Sequence, residues 1–320
     1  MLATTSLFFV FAKRLFQKEI WAFIASLILV LLSSLPWLEG NIPNGELFVM
    51  GFVMLGAVLF SQSSIFHNLI SQKIDFKNSK RDFVFLFLAG NMMGLAVLTK
   101  VPAILDSAAF LAIFILIFTQ ILLNNKSRQD ALKQSFLYLF KRGLAFGFGL
   151  VLPILLSIIY FISQGQGQDY LDYGLLYNLR YSQAWPLDLG NELLNFAFSM
   201  AGKTIILLIL FCLIVLNQDQ LKKRFQFIIL YFIFTLYSVL LSSRPYPHYF
   251  IQMVPAAALL LVESLLMLKN IGQTKQKQQK YNLLKNLIIS LGLIALTIYI
   301  MLTLNFRPYP TAAYYRRFYH

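Results

Sequence analysis

Charged side chains stand beside proline or glycine at three points where an apolar run begins. Lys100 lies in "LTKVPAIL", and Arg244 and His248 lie in "SRPYPHYF". Glu39 and Glu46 lie in "EGNIPNGELF". Proline is favoured in the first turn of a helix, where exposed N–H groups and the helix dipole favour an anion. Arginine can donate hydrogen bonds to two phosphate oxygens at once, and lysine acts as a point charge. Lys100, Arg244 and His248 are therefore predicted to bind a phosphate.

Each of these residues, taken alone, also has a structural explanation. Lys100 could extend its ammonium group to the membrane interface from the end of a span. Arg244 and His248 could anchor to lipid headgroups among interfacial tyrosines. Glu46 could simply complement the dipole of its own helix. The occurrence of three cationic residues and an acid together at helix starts is what favours a site.

The elements that must position these residues are membrane-spanning helices. The chain has 320 residues, of which 58% are hydrophobic and only 12% charged, with a mean hydropathy of +0.69. Soluble domains are about 25% charged, so the sequence predicts an all-α, polytopic integral membrane protein. With a partial run at the start of the chain, we expect nine or ten crossings. Apolar runs long enough to cross a membrane fall at roughly 20–35, 47–64, 83–98, 102–123, 143–163, 198–217, 225–242, 249–268 and 286–304.

Lysine and arginine mark every second connection. Twenty of the 27 Lys and Arg residues lie in five alternate segments, which the positive-inside rule places in the cytoplasm. Lys100, Arg244 and His248 are therefore expected on the outer face. This placement explains the net charge of +14 and argues against a nucleic-acid partner. The five segments are 13–19, 65–82, 124–142, 218–224 and 269–285.

Two further regions are expected outside the membrane. The transmembrane domain is predicted at 1–304, with a long outer loop at about 164–197 that is rich in Gln, Asp and Tyr. A loop of that length is usually functional. Residues 305–320 form an outer C-terminal tail that looks like the start of a further domain. Cys212 is the single cysteine, so an intrachain disulfide is excluded and no metal site is assigned around it.

Three stretches carry a resemblance to a known family. "LPWLEGNIPNGELFVM", "MGLAVLTKVPAIL" and "RPYPHYFIQMVPAAALL" resemble the multi-span glycosyltransferases of the GT-C superfamily. The likeness is to the family 39 type, which includes protein O-mannosyltransferases and bacterial lipid A aminoarabinose transferases, and it covers most of the chain. It implies a transferase in a bacterial inner or plasma membrane with its active site on the outer face. The implied partners are membrane lipids, a polyprenyl-monophosphate sugar donor and a lipid, glycan or protein acceptor.

The resemblance also implies roles for individual residues. An acceptor oxygen would attack the anomeric carbon with inversion, while a carboxylate takes its proton and cations stabilise the departing phosphate. Lys100, Arg244 and His248 match the family's basic motifs and would bind that phosphate. Glu46 matches an outer acidic position that would orient the acceptor or hold a divalent metal, although no metal site is assigned. Candidates for the acceptor site in the outer loop are Asp169, Asp172, Tyr173, Tyr177 and Arg180.

The sequence departs from the family at one point. Members carry an essential acidic residue, usually Asp, in the outer loop after their first span, whereas this sequence opens partway through a later span. The catalytic acid is therefore expected to lie outside this chain. The chain alone is predicted to be an inactive fragment or to need a partner chain.

Three other classes of protein stay open. A transporter or flippase of lipid-linked sugars would show related halves or charges at mid-membrane; we find no repeat, and we note only Glu263 and Lys203, near the ends of predicted spans. A polysaccharide polymerase or ligase would also use an outer loop and basic residues, with a diphosphate-linked donor. A structural membrane subunit predicts that Lys100, Arg244 and His248 are individually dispensable.

Overall fold

The computed structural model describes most of the chain, and within the described ranges the residues form helices and short turns, with no strand. The predicted tail at 305–320 and the middle of the predicted outer loop lie outside these ranges. The described residues are 1–40, 42–71, 79–124, 129–177, 191–217, 222–241, 244 and 246–303.

The main elements are twelve α-helices. Three short 3-10 turns accompany them, at Pro36–Leu38, Val101–Ala103 and Pro247–Met253, and each has a proline in its first two positions. In chain order the helices are α1 (Leu2–Phe16), α2 (Glu19–Ser33), α3 (Gly45–Phe60), α4 (Ser64–Ser71), α5 (Lys80–Thr99), α6 (Ile104–Asn124), α7 (Gln129–Ser163), α8 (Glu192–Phe198), α9 (Met200–Leu216), α10 (Lys223–Leu240), α11 (Val254–Gln273) and α12 (Lys277–Thr303).

Six of these helices are long and apolar enough to cross a membrane, namely α5, α6, α7, α10, α11 and α12. The number rises to eight if the bent pairs α3–α4 and α8–α9 each form one span, with bends of 80° and 74°. The described chain is therefore compatible with a multi-pass membrane protein. The predicted count of nine or ten is higher because it includes α1 and α2. Each has 15 residues and extends about 22 Å, less than the roughly 30 Å of a hydrocarbon core.

Helix α10 lies at the centre of the bundle, and most of its side chains are buried, whereas α7 and α12 bury only a minority of theirs. Phe227 of α10 packs edge-on against Phe110 of α6 and Phe11 of α1, with ring centroids 5.5 and 6.3 Å away. Edge-to-face aromatic pairs add about 0.5–1.5 kcal/mol each beyond their burial. The aromatic core thus ties α10 to the helices on either side of it.

Close backbone contact fixes α5, the helix that leads to Lys100. Gly90 and Gly94 stand four residues apart, and a Cβ atom at Gly90 would lie 2.1 Å from the carbonyl oxygen of Phe146 in α7. Small residues at this spacing allow two membrane helices to approach closely. The end of α5 is therefore held by a contact that larger side chains would prevent.

One end of the bundle collects the basic connections, and we call it the basic end. Here Arg142 of α7 donates from Nε to Asp82 Oδ2 of α5 at 2.5 Å, and its guanidinium lies 3.6 Å from the ring centre of Tyr138. Asp82 also accepts hydrogen bonds from the backbone N–H and the hydroxyl of Ser64, both at 2.7 Å. Arg142 is 1% exposed, so this buried ion pair joins α7 to α5.

Candidate functional site

The 3-10 turns converge at the opposite end of the bundle. Pro36–Leu38 and the helix α3 both contact Pro247–Met253, and α10 contacts both Pro247–Met253 and Val101–Ala103. The three sequence segments that carry the predicted phosphate-binding and acidic residues are thus brought together. We call this end the Tyr249 end, after the residue at which their side chains meet.

The first ion pair at this end joins Lys100 to Glu46. Glu46 lies in the first turn of α3 and is 2% exposed, whereas the Lys100 side chain is 27% exposed. The Lys100 ammonium donates to Glu46 Oε1 and also lies 3.9 Å from the ring centre of Tyr249. Burial lowers the pKa of Lys100, and the neighbouring Glu46 carboxylate opposes that shift. Glu46 therefore helps to keep Lys100 charged.

The second pair joins His248 to Glu39. His248 Nδ1 lies 2.7 Å from Glu39 Oε2, and the two side chains are 19% and 21% exposed. When the Glu39 carboxylate accepts a hydrogen bond from the Nδ1–H group, Nε2 is left to face a ligand. The His248 ring stacks on Tyr246 at 5.6 Å and meets Tyr249 edge-on at 4.9 Å. The imidazole is therefore held on three sides.

Glu39 occupies an unusual backbone conformation. It ends the turn Pro36–Leu38 with φ at 56°, in the left-handed region that residues other than glycine seldom adopt. Its N–H donates to Pro36 O at 3.0 Å, and Asn44 Nδ2 donates to its carbonyl oxygen at 3.4 Å. A local strain of this kind persists where surrounding contacts hold it, and such residues cluster at functional sites. The turn thus directs Glu39 toward His248.

Tyr249 connects the two pairs, because it contacts both Lys100 and His248. Arg244 is half-buried and lies between the end of α10 and the turn that carries His248. We use the name Tyr249 cluster for the five residues that contact one another, which are Glu39, Glu46, Lys100, His248 and Tyr249.

A buried polar chain supports the cluster from within the bundle. Gln252 Nε2 donates to Asp106 Oδ2 of α6 at 2.5 Å and to the hydroxyl of Ser238 of α10 at 2.9 Å. The Ser238 hydroxyl in turn donates to Pro102 O at 2.9 Å. These bonds fix the turn Pro247–Met253 against both α6 and α10. Asp106 lies in the first turn of α6 and is 1% exposed, so Glu263 and Lys203 are not the only ionisable side chains near the ends of the spans.

An apolar cavity of about 210 Å³ adjoins the same two turns. Trp37 and Leu38, which precede Glu39, line one side, while Phe250 and Met253, which follow His248, line another. Side chains of α10, α11 and α12 complete the wall. A hydrocarbon chain could lie here with a polar head at the Tyr249 cluster.

The predicted acceptor residues lie on a separate segment that follows α7. Gly167–Asp169 forms one helical turn and Tyr170–Leu176 a π-helical turn, and both pack back on α7. Tyr170 stacks on Phe161 with ring centroids 4.2 Å apart and shares a hydrogen bond of 2.9 Å with Ser157. The contacts of this segment therefore hold it to α7.

The individual acceptor candidates are mostly solvent-facing. Asp169, Tyr173 and Tyr177 are exposed, and Asp172 is half-buried and accepts a hydrogen bond of 2.9 Å from Gln168. Arg180 lies outside the described residues. The geometry thus brings Lys100 and His248 together at Tyr249 but leaves the phosphate-binding role of Arg244 and the acceptor role of this segment as predictions.

The suggested divalent metal at Glu46 does not fit the side chains around it. The ammonium group of Lys100 occupies the Glu46 carboxylate, and a second cation beside it would be repelled. Among the residues that the structure describes, no group of three or more His, Cys, Asp or Glu side chains is placed to hold a metal. We therefore derive no step through a metal.

Sequence reasoning left Glu39 without a role and missed Tyr249 and Asp106. Glu39 and His248 are 209 positions apart, and no local pattern links them. Tyr249 looks like one more interfacial aromatic residue. Asp106 could have been found, because an acid within an apolar run is itself a signal of function. Comparison of the chain with protein-family models, curated proteins and solved structures found no match.

Proposed function

We propose that the chain is a membrane glycosyltransferase that moves a sugar from a polyprenyl monophosphate to an acceptor, with inversion. The observation that carries the proposal is the meeting of Lys100 and His248 at Tyr249, beside two carboxylates and the starts of two helices. Glu46 and Glu39 balance the charges of Lys100 and of a protonated His248, so the attraction for a phosphate would come from Arg244 and from the N–H groups at the helix starts, with Lys100 as a hydrogen-bond donor. We place the reaction on the outer face of a bacterial inner or plasma membrane, because the basic connections lie at the other end.

The reaction needs a proton acceptor and a stabilised leaving group. An acceptor hydroxyl oxygen forms a bond to the anomeric carbon while the bond from that carbon to the phosphate oxygen breaks. The phosphate leaves with the bonding electrons, and Lys100, Arg244 and His248 stabilise its charge. In place of the acid that the resemblance puts outside this chain, we assign Glu39 to accept the hydroxyl proton, because it is more exposed than Glu46. Glu46 then acts as a positioning residue that keeps Lys100 charged.

The lipid part of the donor is also accommodated in this proposal. The apolar cavity between Trp37, Leu38, Phe250 and Met253 begins beside Glu39 and His248. A polyprenyl chain is a branched hydrocarbon and gains favourable free energy by leaving water for such a surface. The single phosphate would then stay at the cluster, next to the acceptor.

A transfer assay tests the proposal. Membranes that contain the full chain are incubated with a panel of radiolabelled polyprenyl-monophosphate sugars, and release of free polyprenyl monophosphate is followed. We expect release from at least one donor and its loss in Arg244→Ala, with protein abundance unchanged. The matched control is Arg81→Ala at the basic end, which we expect to be active. Equal activity of the wild type and Arg244→Ala would contradict the proposal.

A transporter of lipid-linked sugars is the second candidate, and Asp106 favours it. Ionisable side chains inside a membrane are costly and often mark ion or substrate pathways. Coupled transport through Asp106 predicts that Asp106→Asn stops movement of a labelled donor across proteoliposomes. The transferase predicts instead that Asp106→Asn, which weakens the hydrogen bond that fixes the turn Pro247–Met253, lowers transfer and leaves movement of the donor unchanged.

A further inference from the structure

A second cavity, with a polar lining, lies at the basic end, far from the Tyr249 cluster. Its volume is about 320 Å³, and it is formed by the start of α10, the end of α11 and the first turns of α12. Helix α10 has 18 residues and extends about 27 Å between the two ends. A ligand in this cavity is therefore separate from the proposed donor.

The charge of the cavity favours an anion. Lys222 and Arg224 line it together with Glu263. Arg224 donates from Nε and Nη2 to the two carboxylate oxygens of Glu263 at 2.9 Å each, which neutralises that pair. Lys222 is exposed and stays as the cation of the cavity wall. The N-termini of α10 and α12 also open here, and helix N-termini favour negative charge.

The cavity wall also contains a buried acceptor that lacks a donor. Asn286 lines the wall and is 6% exposed, and its Oδ1 atom has no hydrogen-bond partner among the described residues. By contrast, the amide oxygen of Gln279, another lining residue, accepts a hydrogen bond from the Thr274 hydroxyl at 2.8 Å. A buried polar atom without a partner costs about 1–3 kcal/mol. A ligand hydroxyl that donates to Asn286 would remove that cost.

We propose that this cavity binds a phosphorylated polyol, with the phosphate at Lys222 and the helix N-termini and a hydroxyl group at Asn286. The phosphoglycerol headgroup of an anionic lipid and free glycerol phosphate share this chemistry. Basic pockets between membrane helices on the cytoplasmic side bind anionic headgroups, and the charge pattern places this cavity on that side.

The test is thermal unfolding of the full chain in a neutral detergent, with phosphatidylglycerol, phosphatidylcholine or free glycerol phosphate added. We expect phosphatidylglycerol to raise the midpoint, because a ligand that binds only the folded state stabilises it. Stabilisation by phosphatidylglycerol alone assigns the ligand to the lipid. Stabilisation by glycerol phosphate as well assigns it to the soluble compound.

Variants separate the cavity from general surface charge. Lys222→Gln should weaken the apparent affinity about tenfold, as expected for one lost charge-assisted hydrogen bond. Asn286→Leu should abolish the ligand effect without lowering the stability of the free protein, because it removes an oxygen that has no partner. The control Lys280→Gln changes an exposed lysine of α12 outside the cavity lining, and it should behave as the wild type. An equal effect of phosphatidylcholine, or equal weakening by Lys280→Gln and Lys222→Gln, would overturn the proposal.

Discussion

Two acid–base pairs join helices at opposite ends of the bundle, and they differ in what they leave for a ligand. Asp82 and Arg142 at the basic end are both buried, and Asp82 is surrounded by donors from Ser64. Lys100 at the Tyr249 end keeps 27% of its side chain exposed while its partner Glu46 is buried. Both carboxylate oxygens of Asp82 already accept hydrogen bonds from the protein, and we call Asp82–Arg142 the saturated pair. The second presents a charged group at a surface, which is what binding a phosphate requires.

Breaking the saturated pair should give the largest effect. Arg142→Met leaves Asp82 buried without its cation, and we expect the free energy of unfolding in detergent to fall by roughly 3–5 kcal/mol. Lys141→Met, which changes the exposed neighbour of Arg142, is the control and should change little. The double variant Asp82→Asn with Arg142→Met should recover part of the loss. A small loss of unfolding free energy in Arg142→Met alone would show that the ion pair does not stabilise the contact between α5 and α7.

Removing the proposed proton acceptor should affect rate rather than stability. Glu39→Gln keeps the size of the side chain but cannot accept the acceptor proton, so kcat should fall about a hundredfold or more. KM for the donor should change little, because the phosphate contacts stay in place. An unchanged kcat would show that Glu39 is not the proton acceptor and that another acidic residue has this role.

The next effect is a shift in pH dependence. Burial lowers the pKa of Lys100 and Glu46 raises it, so Glu46→Gln should lower that pKa further. Lys100 would then lose its proton at a lower pH, and the alkaline limb of the transfer rate should move to lower pH, with activity retained below the new pKa. The control Glu19→Gln at the basic end should leave the limb in place. A limb that does not move in Glu46→Gln would contradict the positioning role.

The difference between the ends also explains what the sequence could predict. Composition and the alternation of Lys and Arg indicate helices and their two ends, because span length and loop charge are local properties. Pro102 and Pro247 mark two of the turns that meet at the cluster, because a proline in the first positions of a helical turn is also a local signal. The pairing of Glu39 with His248 depends on how distant helices pack, and no spacing encodes it. The apolar runs at 47–64 and 198–217 likewise give no sign of the bends after α3 and α8.

The most direct test neutralises each pair and measures binding of a polyprenyl monophosphate, such as undecaprenyl monophosphate, to the purified full chain. Glu46→Gln with Lys100→Gln removes the exposed pair without leaving an unpaired charge. Asp82→Asn with Arg142→Gln does the same for the saturated pair. We predict that the first double variant binds roughly tenfold or more weakly, while the second unfolds more easily but binds like the wild type. Equal affinity of the first variant and the wild type would contradict the assignment of the Tyr249 cluster to the donor phosphate.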